Sequence, residues 1–228
     1  ILNFTYSRYI PLKILKYPSV SIYTSRCYYI CKMKKWILFL SIVWLLVANC
    51  TRHNINEQKQ WKSIFDTYKI DSICFELADN SHEQVYYYNL PRLSTQYSPA
   101  STFKILNSLI GLECNVAPDE NLVIAWDGVK RWNENWNKDL SMREAFTVSS
   151  VPYYQELARR IGKDEMKKWV DSVQYGNKNL GNAIDQFWLD NSLRISADEQ
   201  VGLMKKLYFD KLPFSARSQR IVRSLMLQ

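Results

Sequence analysis

The stretch Ser-Pro-Ala-Ser-Thr-Phe-Lys at positions 98–104, followed by the apolar segment 105–113, predicts a helix that begins beside a serine nucleophile. Ser98 and the proline after it suit the first positions of a helix. Ser101 and Lys104 are three residues apart, which places both side chains on one helix face. Because apolar residues occur on nearly every side of the segment, we expect a buried helix rather than an amphipathic one.

Ser101 and Lys104 form a candidate nucleophile and base. A serine hydroxyl is a weak nucleophile until a base removes its proton, and a lysine buried among apolar side chains loses its charge more readily than one in water. The helix N-terminus favours the negative charge of an alkoxide or an oxyanion. The pair alone is weak evidence, because Ser-x-x-Lys also occurs by chance in helices whose serine caps and whose lysine reaches solvent.

Residues 1–50 differ in composition from the remainder of the chain. They hold seven of the 30 basic side chains and none of the 22 acidic ones, so the rest is almost neutral and no nucleic-acid partner is predicted. The first methionine, Met33, is followed by two lysines and the apolar run 36–48. This pattern predicts a secretory signal peptide at 33–50, because the run is too short for a comfortable membrane span.

Three segments and an exported location are therefore predicted. Residues 1–32 are interpreted as upstream sequence read in frame rather than native protein, and 51–228 as one domain. Val-Ala-Asn-Cys at the end of the leader resembles a lipoprotein cleavage site, although asparagine is unusual before the cysteine. Two routes to the periplasm or cell exterior stay open, plain export and a lipid anchor at Cys50.

The domain is predicted to contain one helix, then a β-hairpin, then mainly helices. Residues 70–78 and 83–88 are β-rich runs joined by an Asp-Asn-Ser turn. A capping box is predicted at Ser141. The helices are predicted at 56–68, 152–161, 164–173, 197–208 and 215–227, with loops at 118–139 and 175–191.

Several kinds of site are disfavoured by the sequence. His53 and His82 are the only histidines, and their polar surroundings argue against a zinc site and against a Ser-His-Asp triad. Cys74 and Cys114 do not make a disulfide scaffold. The six glycines form no dinucleotide or phosphate loop. No metal and no bound organic cofactor are predicted.

Four motifs in order resemble the class D (oxacillinase-type) serine β-lactamases. They are Ser101-Thr102-Phe103-Lys104, Ser149-Ser150-Val151, Tyr175-Gly176-Asn177 and Phe187-Trp188-Leu189. The flanking stretches 126–128, 142–146 and 154–162 also resemble that family. One such motif is weak evidence, whereas four at compatible spacings are strong evidence.

The resemblance implies a reaction path through a serine acyl-enzyme. Ser101 would attack the β-lactam carbonyl. Lys104 would be the general base, carbamylated by carbon dioxide to N6-carboxylysine. Ser149 would relay the proton to the leaving nitrogen, and the indole N–H of Trp188 would donate to the carbamate.

The resemblance also implies which residues shape the site. Phe103, Val151 and Leu189 would form apolar walls that lower the pKa of the lysine. The motif Tyr175-Gly176-Asn177 would form the floor of the site. A packing role explains Tyr175 nearly as well, so no chemical step is assigned to it.

The implied fold is α+β and β-lactamase/transpeptidase-like, with an antiparallel sheet flanked by helices and a helical subdomain. The family carries a Lys-Thr-Gly or Lys-Ser-Gly strand that would follow residue 228 by on the order of ten residues. This strand supplies one of the two N–H groups of the oxyanion hole, and losing one such donor costs about 10²–10³ in rate. We expect the 228-residue chain, lacking these later strands and the last helix, to fold poorly and hydrolyse little.

Alternative functions remain open at this stage. β-Lactam antibiotics are the predicted partners, through a hydrolase that confers antibiotic resistance. A β-lactam sensor or a penicillin-binding transpeptidase would be acylated without turnover, and a gene remnant would do neither. The preference between oxacillin and carbapenems is not predicted, nor is the oligomeric state.

Overall fold

The computed structural model describes residues 54–227, and for Asn54 the backbone alone. The predictions for 1–32 and for the signal peptide at 33–50 lie outside the described residues. Among the residues described, no helix combines the length and the apolar character needed to cross a membrane. Across the same part of the chain, no group of three or more His, Cys, Asp or Glu side chains could hold a metal ion.

A three-stranded sheet contains the predicted hairpin. Strands β2 (Phe75–Asp79) and β3 (Gln84–Tyr88) pair antiparallel, which confirms the hairpin. Strand β1 (Asn54–Glu57) pairs parallel with β3, so β3 is the central strand and the sheet is mixed rather than wholly antiparallel. The helix predicted from residue 56 was therefore wrong at its start, and helix α1 covers only Trp61–Thr67. Pairing with β3, which is distant in sequence, outweighs the local helical spacing.

Short elements and longer helices follow the sheet. The helices are α2 (Leu90–Leu93), α3 (Lys104–Glu113), α4 (Met142–Thr147), α5 (Val151–Ile161), α6 (Lys163–Ser172), α7 (Ala197–Tyr208) and α8 (Ala216–Met226). Two-residue strands β4 (Val123–Ile124) and β5 (Leu140–Ser141) pair with each other, and 3₁₀ turns cover Ala100–Phe103 and Glu134–Trp136. The segment 118–139, predicted as a loop with short turns, contains such a turn and also the strand β4, which its sequence did not reveal.

The helix α3 is the centre of the helical core. Seven of its ten residues are buried, as its apolar sequence predicted. It packs on α5 and α8. Gly111 permits a close approach to α5, because a Cβ there would lie 3.1 Å from the Leu157 side chain.

Two helix ends follow the predicted chemistry. Ser141 and Glu144 form the expected capping box at the start of α4. Gly162 ends α5 at a φ of +81°, a conformation that residues with a side chain rarely adopt. Both features orient α4 and α5, whose junction forms one side of the candidate site.

Candidate active site

The candidate nucleophile, Ser101, lies on a 3₁₀ turn ahead of α3. Ala100 has a φ of +46°, and its N–H donates to the Trp188 carbonyl over 3.1 Å. Ser98 was predicted to cap the helix, but its hydroxyl donates to that same carbonyl over 2.7 Å. The cap prediction was wrong, because the Ser98 hydroxyl forms a hydrogen bond with a distant segment instead of capping the helix. The two bonds fix the segment just before Ser101, whose side chain is exposed.

A small cavity of about 10 Å³ brings most of the predicted site residues together. Six of the ten predicted residues line it: Ser101, Phe103, Lys104, Ser149, Val151 and Trp188. Its other lining residues are Ala100, Asn107, Ser150 and Tyr154. A volume of this size is about that of one water molecule.

Lys104 is half-buried between the start of α3 and the end of α4. Its Nζ donates to the Phe146 carbonyl over 2.9 Å and lies 4.4 Å from the centre of the Phe146 ring. The carbonyl and the ring favour the ammonium, but burial lowers the pKa of the lysine below its ordinary value. Lys104 therefore loses its proton more readily than a lysine in water, which a base requires.

The Phe103 ring forms an apolar wall and supports Trp188. It is fully buried and stacks on the Trp188 ring at 5.3 Å between ring centres. Phe187 and Tyr175 meet it edge to face at 5.0 Å and 5.7 Å. Trp188 is therefore held by aromatic packing, a favourable arrangement for an indole that must keep one orientation.

Ser149 lies at the bend between α4 and α5 with a φ of +51°. Its N–H donates to the Phe146 carbonyl over 3.3 Å, so this carbonyl accepts from both Ser149 and Lys104. The cap of α5 is Ser150, whose Oγ accepts from the Tyr153 N–H. Because Ser150 provides the cap, the Ser149 side chain is not needed there and lines the cavity.

The Tyr-Gly-Asn motif supports the site without lining the cavity. The Asn177 side chain donates to the Ser192 carbonyl over 2.8 Å and accepts from the Arg194 N–H over 3.0 Å. A Cβ on Gly176 would lie 1.8 Å from the Arg194 carbonyl oxygen, and its φ is +49°. The motif therefore anchors the loop that follows Trp188. It supports the cavity from behind this loop and is not among the residues that line it with the candidate nucleophile.

Two predicted residues take a packing or outer position. The Tyr175 hydroxyl donates to Gln200 Oε1 over 3.1 Å, and burial raises the pKa of the phenol. This agrees with assigning it no chemical step. Leu189 is 37% exposed and is not among the residues that line the cavity, so it forms no wall around Lys104.

Sequence reasoning missed Asn107, Tyr154 and Phe146. Asn107 follows Lys104 by three residues, so helical spacing alone could have placed both on one face. Besides the Phe146 ring near Lys104, Tyr154 and Phe146 contribute backbone carbonyls, which accept from Asn107 and Lys104. Side-chain type carries no signal for such contacts.

Comparison with known proteins decides the family. Residues 55–228 match the penicillin-binding protein transpeptidase domain. The chain is 39% identical over 203 residues to a protein named "Probable beta-lactamase YbxI" from Bacillus subtilis (strain 168), covering 86% of this chain and 76% of the relative. It is 40% identical over 195 residues to the beta-lactamase OXA-48 of Klebsiella pneumoniae, covering 84% and 73%. This chain belongs to the class D β-lactamase family.

The structure is also similar to solved class D β-lactamases. The crystal structure of FUS-1 (OXA-85) from Fusobacterium nucleatum subsp. polymorphum superposes with a TM-score of 0.72 at 40% identity, covering 75% of this chain and 70% of that one. A class D β-lactamase from Bacillus subtilis gives 0.70 at 42% identity, covering 72% and 70%. The predicted family, serine β-lactamase class and transpeptidase-like α+β fold are confirmed. The roles of individual residues in this class D β-lactamase stay predictions.

Proposed function

We propose that β-lactam antibiotics acylate Ser101 and that Lys104 is the base for this step. The observation that carries the proposal is the shared cavity, in which Ser101 meets a half-buried lysine, Ser149 and Trp188. Ser101 Oγ would bond to the lactam carbonyl carbon while the ring C–N bond breaks. The hydroxyl proton would pass to the base and then, through Ser149, to the departing nitrogen. Attack of water on the resulting ester would release the opened antibiotic.

Carbamylation of Lys104 by carbon dioxide is the second part of the proposal. The residues fit the modification, because it requires a neutral amine and burial lowers the pKa of this lysine. A more open cavity of about 340 Å³, lined by Ser101, Lys104, Phe146 and others, adjoins the amine. When present, the carbamate would supply a carboxylate base at this position. Trp188 would fix its orientation.

The direct test is acylation of the full chain by a penicillin, followed by intact-mass spectrometry. We expect a mass increase equal to that of the antibiotic, and none in Ser101→Ala. A folded wild-type chain that takes up no antibiotic would refute the proposal. The same chain is also assayed for turnover of a chromogenic cephalosporin.

The turnover assay separates the alternatives. Turnover that rises with added bicarbonate supports a hydrolase with a carbamylated lysine. A stable adduct without turnover supports a sensor or transpeptidase.

We also propose that residues 33–50 direct export, on the strength of the two lysines and the apolar run after Met33. The measurement is the N-terminal mass of the product recovered from outside the cytoplasm. A mass that begins near residue 51 supports cleavage. A diacylglyceryl mass on Cys50 selects the lipid anchor, and a product that begins at Ile1 would contradict both the export proposal and the assignment of 1–32.

A further inference from the structure

Asn107 is a fully buried polar side chain in the wall of the lysine cavity. It lies one turn beyond Lys104 on α3, on the same face. Its Nδ2 donates to the Tyr154 carbonyl over 3.0 Å. A carbonyl can only accept, so this contact fixes the amide with Nδ2 toward α5 and Oδ1 on the other side.

The other end of the amide is an acceptor without a donor. Among the described residues, no N–H or O–H donates to Asn107 Oδ1, although the atom is buried. A buried acceptor left without a hydrogen bond costs free energy, and buried polar groups in proteins are nearly always paired. A leucine at this position would fill similar space without that cost. The amide therefore points to a hydrogen-bond donor that belongs to the cavity.

The size and lining of the cavity select the donor. Its volume of about 10 Å³ matches one water molecule. A buried water is stable where two to four polar groups surround it. Lys104, Ser149 and Trp188 line the same space as Asn107 and carry such groups.

We propose that Asn107 is a positioning residue that holds one buried water against Lys104. The water donates to Asn107 Oδ1 and links the amide to the lysine head. Asn107 acts through this water, so it is not itself a catalytic residue. The inference rests on acylation of Ser101 as proposed above, but the water is observable without any substrate.

Two substitutions distinguish a water-holding role from a packing role. In Asn107→Leu, an apolar side chain fills the site and excludes the water. In Asn107→Ala, the removed amide leaves room for a second water that can take the place of Oδ1. If the water matters, we expect acylation by a penicillin to slow about tenfold or more in Asn107→Leu, the factor of one net hydrogen bond, and less in Asn107→Ala. A packing role predicts the reverse order, because alanine leaves the larger cavity.

Ser108→Ala is the matched control. Ser108 is also fully buried on α3, and its Oγ lies 3.1 Å from the Tyr154 hydroxyl, but it does not line the cavity. Its loss breaks a contact between α3 and α5 without touching the water. We expect acylation within about twofold of wild type in this variant, which is less than one hydrogen bond is worth.

The outcomes separate this inference from the proposed function. A crystal structure of the full chain should show a water within hydrogen-bond distance of Asn107 Oδ1, and a protein group in that place would overturn the inference. An acylation rate in Asn107→Leu equal to that of wild type would also overturn it, as would equal losses in Asn107→Leu and Ser108→Ala. If Asn107→Leu does not fold, the comparison of Asn107→Ala with Ser108→Ala and the crystallographic water still decide. If the wild-type chain is not acylated, the proposed function is refuted. The crystal structure would then still test whether the water is present.

Discussion

The helical region around α3 and the three-stranded sheet differ in how they are stabilised. Seven of ten α3 residues are buried, whereas no described side chain of β1, β2 or β3 is fully buried. Ile55 and Leu77 are exposed on the sheet. Helix packing therefore maintains the geometry of the site, while the sheet contributes much less buried apolar surface.

A carboxyl pair lies where the sheet meets α7. Glu76 on β2 lies beside Asp198 in the first turn of α7. Burial and, after it, the neighbouring carboxylate raise the pKa of Glu76 to about 7. Both residues line a cavity of about 750 Å³, together with Lys205 and Leu93. The sheet side of the molecule thus carries a carboxyl group that holds its proton more tightly in the folded chain than in the unfolded chain.

The largest expected effect is that of Phe103→Ala. The ring is fully buried against Trp188, Phe187 and Tyr175. Removing it should lower the free energy of unfolding by about 3–5 kcal/mol and release Trp188 from its stack. Denaturant unfolding with an unchanged m-value checks this. A loss below about 1 kcal/mol would mean that the helical region is no better packed than the sheet.

The same substitution on the sheet, Phe75→Ala, should have a smaller effect. Phe75 is 45% exposed, and its ring meets Trp61 edge to face at 5.2 Å. The loss should be about 1 kcal/mol, since one aromatic pair and part of a side chain are removed. Equal losses in Phe75→Ala and Phe103→Ala, measured in the same denaturant series, would remove the contrast between the two regions.

The smallest effect, and the one that changes with pH, is expected for Glu76→Gln. The folded chain holds the Glu76 proton up to about pH 7, while the unfolded chain releases it near 4.5. Wild-type stability should therefore fall as pH rises from about 4.5 to about 7 and then level off, because the folded state binds the extra proton.

The glutamine variant should lack this slope. It should match wild type near pH 5 and exceed it at pH 8 by less than about 1 kcal/mol, because the carboxyl pair is partly exposed to solvent. Thermal melts at the two pH values provide the comparison, with Leu77→Ala as a control without charge. A wild type that becomes more stable from pH 5 to pH 8, by an amount that Glu76→Gln abolishes, would contradict the raised pKa.

Local chemistry predicted part of the fold. The bounds of α7 at 197–208 and the capping box of α4 agree with the structure, because periodicity and caps act within a few residues. The hairpin was predicted for the same reason. Strand β1 was missed, because its four residues become a strand only by pairing with β3, whose partner residues are thirty positions away in sequence.

For the site, the sequence by itself determined which candidate side chains would meet. Ser101, Lys104, Ser149 and Trp188 line one cavity, as the motifs implied, and the family follows from the same residues. Only the tertiary structure decided their surroundings. The Phe146 carbonyl accepts a hydrogen bond from Lys104, and Ser98 bonds to the Trp188 carbonyl instead of capping the helix. Leu189 does not line the cavity. The physical reason is that burial and backbone hydrogen bonds depend on which distant segments meet, and a motif names residue types without their neighbours.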